Sequence, residues 1–119
     1  YFHFNHMFYL NGQPNSAYIK LIEPLLKKIK FKKLISVRAN LFLRDHVNNI
    51  HPQHLDHNYD HKVLLYYVNS TNGGTLLDKK ITIECIQNRA LFMNGDVWHS
   101  SIAQTNTKYR VGINIGYIE

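Results

Sequence analysis

The chain has 119 residues, 45% of them hydrophobic, and carries a net charge of +6; that length suits one domain able to bury a core without disulfide or oligomer support. The lone cysteine, Cys85, excludes an internal disulfide and suits a reducing compartment. Five of the fourteen basic residues crowd into Lys27, Lys28, Lys30, Lys32 and Lys33, so the positive balance reads as the solvated end of a helix rather than as the broad surface of a nucleic-acid binder.

The opening run of Tyr1, Phe2, Phe4, Met7, Phe8, Tyr9 and Leu10 is broken by His3, Asn5 and His6. It is too short to span a bilayer and lacks the basic start and cleavage site of a signal peptide, so it reads as the trimmed start of a cytoplasmic domain. From Ala17 to Ile29, Tyr18, Leu21, Ile22, Leu25, Leu26 and Ile29 recur at helical spacing, with Pro24 expected to kink or restart the helix. Residues 1–33 are thus expected as helical support for a core spanning 34–119. After Lys33 the period changes to two: Ile35, Val37, Ala39, Leu41 and Leu43 take one face, and Ser36, Arg38, Asn40 and Arg44 the other.

A polar stretch from His46 to His61 follows, and a metal-binding triplet within it is expected as a short strand. Val63–Val68, Thr75–Leu77, Ile81–Ile86, Ala90–Met93, Val97–Ser100 and Tyr109–Ile118 read as further strands, with turns at 72–74 and 94–95. About eight short strands without intervening helices predict a mainly β fold, a sandwich or jelly roll.

The chemistry concentrates in His54, Leu55 and Asp56, followed by His99 and then by Arg110. On an extended segment, residues i and i+2 share a face about 6.6 Å apart, so His54 and Asp56 grip one ion together. Two imidazoles and one carboxylate form the facial triad of non-haem iron(II), which leaves coordination positions open. Eight histidines invite false sets, but only His54 has an acid two residues later. His46, His51, His57 and His61 read as loop or supporting residues, His3 and His6 as structural, and Trp98 as a packing or pocket-wall residue. In the last strand, Tyr109, Val111, Ile113, Ile115 and Tyr117 alternate with Arg110, Gly112, Asn114 and Gly116. That second face is small and polar and leaves room for a ligand. Arg110 offers a fork of donors matched to a carboxylate, Tyr66 is expected as a second donor, and Asn114, on the same face as Arg110, is expected with them as a cosubstrate-binding residue.

His54, Asp56, His99 and Arg110, with Tyr66 and Tyr67 in a Leu-Leu-Tyr-Tyr-Val-Asn run, resemble the Fe(II)- and 2-oxoglutarate-dependent oxygenases of the prolyl 4-hydroxylase-like group, especially small phage and bacterial members. The resemblance covers roughly residues 34–118. It implies a double-stranded β-helix of the cupin-like, jelly-roll type, with His54, Asp56 and His99 on iron, and Arg110 and Tyr66 on the distal carboxylate of 2-oxoglutarate. It implies hydroxylation of an unactivated C–H bond, in a prolyl or similar residue of a peptide or protein, coupled to decarboxylation of 2-oxoglutarate to succinate and CO2. O2 is the oxidant, ascorbate an optional reductant, and the location cytoplasmic, for a phage member that of an infected host. Because Asp56 is present, halogenation is disfavoured. Nucleobase-repair dioxygenases carry a second arginine six positions after the first, where this chain has Gly116, so nucleic acid is a disfavoured partner. A non-enzymatic, cupin-like metal-binding module is the remaining alternative.

Overall fold

A computed structural model describes residues 3–119. Nine strands form it: β1 (Phe4–Leu10), β2 (Gln13–Pro14), β3 (Lys33–Leu43), β4 (Lys62–Tyr67), β5 (Gly74–Leu77), β6 (Ile81–Glu84), β7 (Ala90–Asn94), β8 (His99–Ile102) and β9 (Tyr109–Ile118). They make an antiparallel six-stranded sheet, ordered β2-β1-β3-β9-β4-β7, and a three-stranded sheet, ordered β6-β5-β8. The sheets face one another and are tied across the interior by hydrogen bonds from Tyr67 to Thr75 and from Arg110 to Ser101. This is the expected mainly β jelly roll.

The alternation in β3 and β9 sorts their side chains between two environments. Val37, Ile113, Ile115 and Tyr117 point outward and, with Leu64 of β4, bury against Phe8, Ile22 and Ile29. Val37 and Ile115 are completely buried, and each contributes about 1.5–3 kcal/mol. The opposite face, toward the second sheet, carries Arg38, Asn40, Phe42, Arg110, Gly112 and Asn114, aligned by the pairing Phe42↔Arg110, Asn40↔Gly112 and Arg38↔Asn114. A bulge between Leu34 and Ser36 shifts the expected register: Leu34 joins the outer core in place of Ile35.

The N-terminal region departs from a purely helical support. Phe4–Leu10 is a strand, paired with β3 from Phe4↔Leu41 to Leu10↔Ser36. Its apolar residues follow neither clean period, and only the exposed edge of β3 makes it a strand. Asn11 and Gly12, both at positive φ, turn it into β2, as an Asn-Gly pair favours. The helical spacing of residues 17–29 is realised as a 3-10 helix (Ala17–Leu21), capped by the Ser16 hydroxyl, and one α-helical turn, α1 (Glu23–Leu26), with Pro24 in its first turn. Pro24 therefore restarts the helix.

Gly74, expected in a turn, begins β5. A β-carbon there would lie 2.3 Å from the Ile83 carbonyl oxygen, so only glycine lets β5 and β6 close. Backbone must move to relieve such a clash. Gly74→Ala is expected to destabilise the protein by about 1–3 kcal/mol, read as a lower urea midpoint; an unchanged midpoint would contradict this packing.

Candidate metal centre

The triplet does not form the expected strand. It lies in an irregular segment that meets β8 at isolated bridges, Ile50↔Ile102 and His54↔His99. His54 and His99 exchange both backbone hydrogen bonds, at 2.9 and 3.1 Å. Such a pair puts both side chains on one side of the ladder, and their rings stand 4.4 Å apart. One backbone bridge thus joins two histidines 45 positions apart.

Asp56 closes the set. Its Oδ1 lies 3.4 Å from His54 Nε2 and 3.4 Å from His99 Nε2, and one ligand atom from each of the three residues falls within 4.8 Å of the others. Neighbouring ligands on an octahedral ion with bonds of ~2.1 Å stand about 3 Å apart, so small side-chain rotations would seat the three on one ion. The surrounding groups prepare these atoms. His99 Nδ1 pairs with the Val97 carbonyl at 3.0 Å, which directs Nε2 inward. Asn114 donates through Nδ2 to Asp56 Oδ2 at 3.2 Å, leaving Oδ1 toward the histidines. The donor set and its supports fit a divalent cation.

Electrostatics agree with that fit. Burial disfavours charge on Asp56, but hydrogen bonds from His54, His99 and Asn114 outweigh it and hold the carboxyl well below its usual range. Burial likewise works against a charged His99, yet its bonds to Asp56 and to the Val97 carbonyl raise its pKa above the ordinary value. Asp56 is therefore an anion, and a proton held among these groups would leave when a metal takes its place.

The triad opens on a cavity of about 520 Å³ between the sheets. Arg110 belongs to its wall: it is 5% exposed, its guanidinium stacks 4.2 Å from the centre of the Phe42 ring, and its Nη2 donates to the Ser101 hydroxyl. Arg110 stands four positions before Asn114 on β9, about 13 Å of strand.

Two of the expected cosubstrate residues have hydrogen-bond partners within the chain. Tyr66 pairs with Ile113, while Tyr67 pairs with Gly112; Tyr66 therefore takes the outward face, opposite to Arg110. It borders the cavity, but it packs against the outer core and its hydroxyl donates to Asn88 at 2.6 Å. Tyr67 is the tyrosine directed inward. Its hydroxyl meets Thr75 Oγ1 at 2.6 Å, and burial raises its pKa. Asn114, expected with the cosubstrate donors, hydrogen-bonds Asp56. His57 lines the cavity while His61 is buried beside it, ring to ring at 4.8 Å, neither grouped with the triad. Arg38 also lines the cavity; its place on the polar side of the β3 alternation was the only signal for it.

No protein-family model matches the chain, and no curated protein matches it. Solved structures do. A Pseudomonas putida prolyl-4-hydroxylase superposes with a TM-score of 0.60 at 8% identity, over 98% of this chain and 73% of that one. An RmlC-like cupin protein from Desulfovibrio desulfuricans gives 0.51 at 16% identity, over 73% and 87%. Identities this low speak for the fold alone. Among the described residues no helix is long and apolar enough to cross a membrane. The chain has the cupin-type jelly-roll fold, with a His-Asp-His cluster between its two sheets.

Proposed function

We propose that this chain is an Fe(II)- and 2-oxoglutarate-dependent dioxygenase that hydroxylates an unactivated C–H bond in a prolyl or similar residue of a peptide or protein. The observation that carries the reading is the convergence of a facial His54-Asp56-His99 set and the buried guanidinium of Arg110 on one cavity. His54, Asp56 and His99 would hold iron(II), with Asn114 and the Val97 carbonyl fixing their orientation. Bound iron supplies the activation of O2 and the coupled oxidation of 2-oxoglutarate and substrate. Arg110 receives the distal carboxylate, its charge kept in place by Phe42 and Ser101. Tyr67 and Thr75 stand in the same wall, which Tyr66 also borders. The fold shared with a prolyl-4-hydroxylase is compatible with this chemistry.

Anaerobic titration of the protein with iron(II) and then 2-oxoglutarate tests the reading. A visible charge-transfer band that saturates with one equivalent of each is the expected result, followed by succinate formation on admission of air. Metal binding without the band or succinate would favour the cupin-like binding module instead. Peptides that stimulate no succinate formation where other compounds do would remove the prolyl assignment.

A further inference from the structure

Beside the triad stands a second arginine that these roles do not use. Arg38 of β3 pairs directly with Asn114, the residue that holds Asp56. Paired residues of neighbouring antiparallel strands lie about 5 Å apart on the same face, so Arg38 emerges at the level of the metal ligands. Arg110, paired with Phe42, emerges four residues further along, about 13 Å away. The two guanidiniums therefore mark different parts of one cavity.

Arg38 lacks the support that Arg110 has. Among the described residues it takes part in no ion pair or side-chain hydrogen bond, and its Nε is buried without a partner. Its charge acts on the cavity, disfavouring protonation of His3, although burial is the larger influence there. A partly desolvated guanidinium without an anion is costly unless a ligand supplies one. Among the described residues, the cavity wall carries two guanidiniums and a single carboxylate, Asp56. A divalent metal and a doubly charged 2-oxoglutarate offset one another, so one positive charge stays in excess. Arg38 carries it at the strand position level with Asn114, which supports the metal ligand Asp56.

We infer that Arg38 is a specificity-determining residue that binds a carboxylate of the primary substrate, a few bonds from the carbon that is oxidised. This rests on the oxygenase reading above. The planar fork of arginine suits a carboxylate in two-point contact. Two sources would present that group: the free α-carboxylate of an amino acid, or an acidic side chain beside the target residue of a peptide.

Isothermal titration of the anaerobic iron(II)–2-oxoglutarate complex distinguishes them. One arm uses the twenty L-amino acids against their amides, and the other uses end-capped prolyl peptides with Glu or Gln next to proline. In one arm the acid should bind about tenfold more tightly than its neutral match, identifying the source. Arg38→Gln should abolish that preference, Arg38→Lys should keep part of it, and 2-oxoglutarate affinity should stay within about twofold in both. Because the replaced charge is unpaired, the thermal midpoint of Arg38→Gln should not fall, whereas a structural arginine would lower it. The inference is overturned if neither arm prefers the acid, if the preference survives Arg38→Gln, or if that variant loses 2-oxoglutarate as Arg110→Gln does, which would make Arg38 a cosubstrate residue. Should the wild-type protein fail to bind 2-oxoglutarate, the oxygenase reading falls by itself. The comparison of acids with amides is then made on the metal-loaded protein, where the same outcomes decide.

Discussion

His99→Ala is expected to lose stoichiometric iron(II) binding and to reduce oxygen-dependent 2-oxoglutarate turnover on the order of 10³-fold or more, because the metal contributes several kcal/mol to such a reaction. His99 is 5% exposed and reaches Asp56 through Nε2. Its removal therefore also leaves a buried carboxylate short of one partner, and the metal-free variant should be about 1–3 kcal/mol less stable. Metal analysis after gel filtration, with circular dichroism as a control for folding, separates the two effects. A folded variant that retains one iron and wild-type succinate formation would exclude His99 as a ligand. Asp56 and His54 would then need a third partner from outside this triad.

Arg110→Gln should leave iron(II) affinity near that of the wild type and weaken 2-oxoglutarate by on the order of 10²-fold, the scale of losing a desolvated, charge-assisted two-point contact. Position 110 is the place for this separation of effects because Arg110 stands about 13 Å along β9 from Asn114, which supports the metal ligands. Substitution there leaves the triad's own hydrogen bonds untouched. The stacking of Phe42 on the guanidinium and the Ser101 hydroxyl hold it in the cavity, so glutamine, shorter and neutral, recovers neither charge nor reach. The check is the charge-transfer titration, with iron binding measured separately. Equal affinity of variant and wild type for 2-oxoglutarate would take Arg110 out of the cosubstrate site.

Several elements were legible without coordinates because their residues state their environment locally. The alternation of β9 places Arg110, Gly112 and Asn114 on one face and Ile113, Ile115 and Tyr117 on the other, and the pairing with β3 keeps that division. The acid two residues after His54 singles out one histidine among eight, and His54, Asp56 and His99 do converge. Pro24 marks the restart of the helix, since its missing N–H is harmless only in a first turn.

Other features were hidden for equally physical reasons. Phe4–Leu10 shows no clean period, and the strand exists because β3 offers an unpaired edge for it. Tyr66 and Tyr67 are chemically alike and adjacent, so choosing between them requires knowing which lies opposite Gly112. A shift of one residue in register exchanges the two faces of a strand, and nothing within β4 reveals that register. Arg38 could equally have been a solvated residue such as Arg44, both being on the polar side of one alternation.

By itself, then, the sequence determined the kinds of element and the inventory of chemistry: a mainly β chain, a His-x-Asp grip, a distant histidine and an arginine on a small-residue face. These follow from side-chain period and residue type, which act over a few positions. Only the tertiary structure decided which tyrosine faces inward, that Asn114 serves Asp56, and that Arg38 stands unpaired at the metal ligands. Those outcomes depend on cross-strand register and on the bridge between His54 and His99, long-range pairings that arise only when the two sheets close on one another.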